Sequence, residues 1–133
     1  VTIEALHALG EETYVSLTTF RRTGEAVSTA VWVVRDGDDL LVTTGASSGK
    51  IKRLRNSDRV ELSASDRSGT VAPDTLAVQA LAVVLDDSET RQVLDRLLLA
   101  KYGAQYRAIK LAAKIARRDS SSSVAIRISA ALA

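Results

Sequence analysis

Hydrophobic residues recur along this chain in two periods, and the switches between them mark out the elements. Ile3, Leu6 and Leu9 share one side of a helix over Thr2 to Gly10, with Gly10 as its stop. From Thr13 to Phe20 the pattern alternates, and Tyr14, Val15 and Leu17 favour a strand. Arg22-Thr23-Gly24-Glu25 forms a turn, and Ala26 to Arg35, rich in β-branched residues and containing Trp32, a second strand. Asp36-Gly37-Asp38 is a hairpin signal that returns the chain as a third strand, Leu40 to Thr44.

A short basic helix follows, with Ile51 and Leu54 turned together toward the core. Arg59 to Ser65 is then a strand, Asp66-Arg67-Ser68-Gly69 a turn, and Leu76 to Leu85 a long strand approached through Pro73, where a missing N–H does least harm. Ser88 to Tyr102 carries Val93, Leu94, Leu97 and Leu98 at helical spacing behind a cap at Asp87 or Ser88. Gly103 interrupts it, and a second helix runs from Ala104 to Arg117. Asp119 to Ser123 is a loop, after which Val124, Ile126 and Ile128 alternate inward along a last strand, Ser123 to Ser129. Strands, helix, strands, two helices and a strand predict an α+β fold whose mostly antiparallel sheet curls into a small barrel.

Residues 1–133 suffice for one domain with one real core, and neither a repeat nor a linker divides them. With no cysteine, disulfides, thiolate metal sites and cysteine nucleophiles are excluded. The single histidine, His7, has no partner at ligand spacing, so no metal site is expected. A net charge of +2 does not call for a nucleic-acid partner. No apolar run reaches membrane-spanning length, Val1 onward lacks a signal-peptide layout, and the absence of methionine suggests a trimmed start. The cytoplasm is the expected compartment.

Candidate chemistry concentrates between Thr43 and Asn56. Here an apolar strand passes through Gly45-Ala46-Ser47-Ser48-Gly49 into Lys50-Ile51-Lys52-Arg53-Leu54-Arg55. Backbone N–H groups of Gly49 and Lys50, the Ser48 hydroxyl and the Lys50 ammonium together suit a phosphate. Lys52 and Arg53 are expected toward the outer side of this helix, extending a positive field with Arg55 toward a longer anionic tail. The bland alternative is a solvated basic face. A second constellation, Thr18-Thr19-Phe20-Arg21 beside Ser28-Thr29-Ala30-Val31-Trp32, offers strand backbone and small hydroxyls to the edge of a flat heteroaromatic ring, or is simply good strand sequence. Trp32 is expected to serve the core. Lys110, Lys114, Arg117 and Arg118 give the last helix a basic edge, with Tyr102 and Tyr106 beside it in a position to face a ligand. No nucleophile elbow, Walker loop or dinucleotide fingerprint is present, and no catalytic residue is assigned. A phosphate-bearing ring with no acid, base or nucleophile from the protein suits cofactor chemistry, in which the protein binds and orients.

In Tyr14 to Arg21, Val27 to Trp32, Ser48 to Asn56 and Arg59 to Leu62 the sequence resembles the flavin and deazaflavin oxidoreductases of the pyridoxamine-phosphate-oxidase-like superfamily, across nearly the whole chain. The nearest subgroup is that of probable enzymes of coenzyme F420, a deazaflavin with a phospholactyl-oligoglutamate tail. The resemblance implies a split β-barrel with a helical pair before the last strand, acting as a homodimer with the cofactor at the interface. It implies that Ser48 and Lys50 hold the cofactor phosphate with Thr44 nearby, and that the backbone of Ser28, Thr29, Ala30 and Val31 borders the ring. Lys52, Arg53 and Arg55 become the candidates for the oligoglutamate tail. Ala30 stands where many relatives have proline, leaving an extra N–H beside the ring, and Val33 stands where an aromatic residue is common. The expected activity is transfer of a hydride from reduced F420 to a small unsaturated or conjugated acceptor, with a proton from solvent or a hydroxyl such as that of Tyr106. The alternatives are an FMN-dependent oxidoreductase of the same fold and a non-catalytic F420- or flavin-binding protein.

Overall fold

A computed structural model describes residues 3–116 and 123–131. The elements run α1 (Ile3–Gly10), β1 (Tyr14–Phe20), β2 (Ala26–Val31), β3 (Val34–Asp36), β4 (Asp39–Gly45), α2 (Gly49–Leu54), β5 (Arg59–Ser65), β6 (Val78–Leu85), α3 (Ser88–Tyr102), α4 (Ala104–Ala116) and β7 (Ser123–Ala130). Thr2, Arg117, Arg118 and the loop expected before Ser123 lie outside the described residues, as does the side chain of Lys114.

All seven strands join one antiparallel sheet in the order β2-β1-β5-β6-β7-β4-β3. Its two edge strands, β2 and β3, are neighbours in sequence, so the sheet must curl until its ends meet. The core confirms the curl, because Val31 of β2 and Leu40 and Val42 of β4 share one buried cluster with Val15, Leu17, Leu62 and Ile126. Leu6 and Leu9 of α1 and Ile51 of α2 also enter this cluster. The result is an α+β barrel split along the β2–β3 seam.

The single strand expected over Ala26 to Arg35 is two strands, broken at Trp32-Val33. β-Branched sequence carries no signal of this break, because the cause is tertiary: β2 must pair with β1 while β3 pairs with β4. A knot from α3 satisfies the backbone at the bend. The Tyr102 hydroxyl donates to the Thr13 carbonyl at 2.7 Å and accepts from the Val33 N–H at 3.1 Å. The Lys101 ammonium donates to the carbonyls of Gly10, Glu12 and Val33 at 2.9, 2.6 and 2.6 Å. Tyr102 also stacks on Trp32, with ring centroids 4.1 Å apart and planes 8° from parallel. Tyr102 therefore braces the seam rather than facing a ligand. Tyr102→Phe should keep the stack but strand the Val33 N–H and the Thr13 carbonyl, costing about 1–2 kcal/mol in a denaturant titration.

A second, smaller cluster lies outside the barrel, where Leu94 and Leu98 of α3 cover Val34, Leu41 and Ala125. It explains why β7 is buried on consecutive residues, Val124, Ala125 and Ile126, instead of alternating: the barrel takes one face and α3 the other. α3 is capped by Asp87, whose carboxylate accepts from the Thr90 N–H at 2.9 Å. On β6, by contrast, the outward Leu81 and Val83 stay exposed.

Candidate functional site

The end of β4 and the start of α2 meet the β1–β2 pair at one mouth of the barrel. Along β2 the parity is set by Val31, which enters the core, so Thr29 points the same way at the mouth, opposite Leu17. Thr19 follows Val15 and Leu17 on the same face of β1 and is fully buried. Two polar side chains thus stand at apolar-phase positions, and each receives a cation from α2. Lys50 Nζ donates to Thr29 Oγ1 at 3.2 Å, and Arg53 Nε to Thr19 Oγ1 at 2.5 Å.

Lys50 and Arg53 are half-buried, three residues apart on one face of α2, and neither has a carboxylate within 4.0 Å among the described residues. Burial, and after it the neighbouring Arg53 charge, push the Lys50 ammonium below the ordinary lysine value of 10.5. Arg53 is likewise lowered by burial and then by Arg21. A cation held among hydroxyls and other cations, without a counter-charge, is poised for an anion.

Arg53 was expected beside Lys52 on the outer side of the helix, and the structure corrects this: Arg53 shares the sheet-facing side with Lys50, while Lys52 and Arg55 are exposed. Gly49 makes the inward course of Arg53 possible, since a Cβ there would stand 2.7 Å from the guanidinium Nη1. Gly49→Ala should swing this flexible side chain off the corner at little cost in stability. Roughly a fewfold to tenfold loss of anion affinity should follow, read by phosphate-analogue titration.

Ser48 occupies the N-cap position of α2 with extended backbone, φ −67° and ψ 158°, yet its side chain makes no capping hydrogen bond. It accepts instead from Thr44 Oγ1 at 3.0 Å, which leaves the Ser48 proton free to donate to another acceptor. α2 has only six residues, so side-chain donors rather than a helix dipole dominate the field here.

The structure therefore brings Thr44, Ser48, Gly49, Lys50, Arg53 and Thr29 to one corner. Ser28 lies on the opposite face of β2, its hydroxyl 2.6 Å from that of Thr18. Ala30 shares that outer face beneath the Asp66–Gly69 turn: a Cβ on Gly69 would stand 3.7 Å from both Ala30 N and Ala30 Cβ. Val31 is committed to the core and offers only its backbone. Among the described residues β2 is an edge strand, so one side of its main chain has no strand partner there. Thr19, expected with Thr18 at the edge of a ring, instead joins the corner by accepting from Arg53, and its phase with Val15 and Leu17 was the visible signal.

The Tyr106 hydroxyl is already engaged. It donates to Asp95 Oδ1 at 2.5 Å, and burial, then that carboxylate, drive its pKa far upward. His7 pairs with Asp38 at 3.1 Å on the surface, and no cluster of potential metal ligands occurs among the described residues. No helix among them is long and apolar enough to cross a membrane.

Comparison with known proteins adds the family. The family model described as pyridoxamine 5'-phosphate oxidase matches residues 1–132, whereas curated proteins yield no match. Among solved structures, a conserved hypothetical protein from Mycobacterium tuberculosis is 18% identical, with 99% of this chain and 81% of that one covered and a TM-score of 0.70. The heme storage protein HutZ from Vibrio cholerae is 15% identical over 98% of this chain and 89% of its own, at a TM-score of 0.68. An F420 reductase is 22% identical over 95% and 93%, at a TM-score of 0.62. At such identities the likeness is one of fold, and the fold common to them is the split β-barrel. The family match over nearly the whole length carries the assignment: this chain belongs to the pyridoxamine 5'-phosphate oxidase family.

Proposed function

We propose that the protein is an F420H2-dependent oxidoreductase that passes a hydride to a small unsaturated or conjugated acceptor. The carrying observation is the pair of half-buried cations, Lys50 and Arg53, held against Thr29 and Thr19 without a carboxylate. That donor set suits an anionic cofactor tail. Ser48, Lys50 and Arg53 would bind the phosphate, and the exposed Lys52 and Arg55 would meet carboxylates further along the tail. The open backbone edge of β2 from Ser28 to Val31 would border the ring, fixing its tilt through main-chain hydrogen bonds. When bound, the reduced deazaflavin supplies the hydride; the protein contributes orientation and exclusion of competing water. With Tyr106 committed to Asp95, the accompanying proton would come from solvent. The exposed Leu81 and Val83 on the outer face of β6 support self-association into a homodimer, and the cytoplasm is the compartment we infer.

FMN is the second cofactor to weigh, because of the three cations beyond Lys50 only Arg53 turns into the corner. One phosphate would be satisfied there without Lys52 or Arg55. A side-by-side titration of both cofactors, followed by Trp32 emission, decides between them. The proposal requires tighter F420 binding, with an affinity that falls steeply with salt; stronger FMN binding that ignores Lys52→Ala and Arg55→Ala would replace F420 by FMN. Binding of either without turnover of any enone, quinone or tetrapyrrole would make this a binding protein.

The pH dependence has a definite sign. A neutral Lys50 loses its attraction for the phosphate, so affinity should decline on an alkaline limb that begins below pH 10.5. Lys50→Arg should remove that limb. For the free protein the sign reverses: the folded state binds this proton less tightly than the unfolded chain. The stability penalty of charged Lys50 is therefore present at neutral pH and relieved as pH rises through the same window.

A further inference from the structure

A cavity of about 630 Å³ lies outside the barrel, between the α3–α4 pair and the outer face of β4 and β7. It is separate from the α2 corner, because its β4 wall is Thr43, on the opposite face of the strand from Thr44. Its volume falls within the range of small-molecule sites. α4 creates it by standing off the sheet. Tyr106 ties the start of α4 down, tilted against Trp32 at 6.4 Å and bonded to Asp95. One turn further on, Ile109 lines the cavity yet stays 52% exposed.

The charges around this cavity are unequal. Among the described residues that line it, Asp95 is the one carboxylate, and it is already engaged by the Tyr106 hydroxyl and by Lys110 Nζ at 2.6 Å. Arg91 retains donors, since among the described residues its ion pair is a single 3.4 Å contact with the exposed Asp86. The interior wall of Trp32, Leu94 and Leu98 is apolar and includes an indole edge. Such a space takes a flat conjugated body and, at its rim, one negative group beside Arg91. Trp32 directly follows Val31, so the cavity begins one residue beyond the strand edge proposed to border the cofactor ring.

We propose that this cleft binds a planar conjugated monoanion and that its occupant is the hydride acceptor. The second half of that statement rests on the function proposed above; the first does not. Reduction would add the hydride to one carbon of the acceptor's double bond and a solvent proton to the other, both electrons coming from the reduced deazaflavin.

Anilinonaphthalene sulfonate, a flat aromatic monoanion, tests the site on the full chain without cofactor or turnover. Saturable one-to-one binding that quenches Trp32 is expected, weakened about tenfold by Arg91→Ala and at least as much by Ile109→Glu. Both variants alter exposed positions, and an unchanged thermal transition would show that they fold. Lys50→Ala and Val83→Ser should leave probe binding as it was. Absence of saturable binding, or binding lost in Lys50→Ala or Val83→Ser and kept in Arg91→Ala and Ile109→Glu, overturns the site. If the probe binds as described but F420 does not, the cleft stands and the deazaflavin reading falls.

Discussion

Lys50→Ala should weaken cofactor binding by about 2–3 kcal/mol, roughly 30- to 150-fold, because it deletes a charge-assisted contact in a partly desolvated corner. Stability should hardly fall, since the partner left behind, Thr29 Oγ1, is a neutral hydroxyl at the barrel mouth and burial already disfavours the ammonium. The two readouts move in opposite directions from those of a structural lysine, whose loss would lower the thermal midpoint and leave affinity for folded protein alone. Calorimetric titration of F420 into the variant, beside a thermal scan, measures both. Unchanged affinity with a lowered midpoint would remove Lys50 from the site and reassign it to bracing α2 against β2.

Leu17→Ala should cost about 2–5 kcal/mol, the range for emptying a large buried side chain in a close-packed core. Leu17 is fully buried at the centre of β1, opposite Thr29 on β2 and Leu62 on β5. The cavity would open directly behind the threonine that receives Lys50, so this variant should also loosen the binding corner. Urea unfolding gives the first effect. The second appears as a shallower salt dependence of cofactor binding, because a displaced Thr29 no longer positions the cation.

Much of this architecture was legible in the residue pattern because it is local. The two-residue period from Tyr14 to Phe20, the Asp36-Gly37-Asp38 turn and the helical stripe from Val93 to Leu98 are each set by side chains close in sequence. The break at Trp32-Val33 was not, because nothing in Ala26 to Arg35 disfavours a continuous strand; the break is imposed by β1 and β4 competing for its two halves. The Lys101 and Tyr102 knot was hidden for the same reason, since the carbonyls it satisfies come from residues 68 to 91 positions away. In the candidate site, the four cations were plain, but not which of them face inward. Lys50 and Arg53, three apart, lie on one side of the turn, yet choosing that side required the positions of Thr29 and Thr19 on strands distant in sequence. Two threonines in the apolar phase of their strands were the available clue, and they gain meaning only once β1 and β2 are paired.

The position of β7 has a consequence for how the molecule is made. It is the last of the seven strands to leave the ribosome, yet it sits between β6 and β4 and is the sole hydrogen-bonded bridge joining β2-β1-β5-β6 to β4-β3. Until it arrives, the nascent chain carries two unpaired sheet margins, with Leu81 and Val83 beside one of them. Closure must therefore await translation past Ala130, and pairings such as Leu40 with Ile128 make it a slow, long-range step. During that interval the half-built sheet is a natural client for chaperones, and any lesion in β7 should surface first as poor soluble yield.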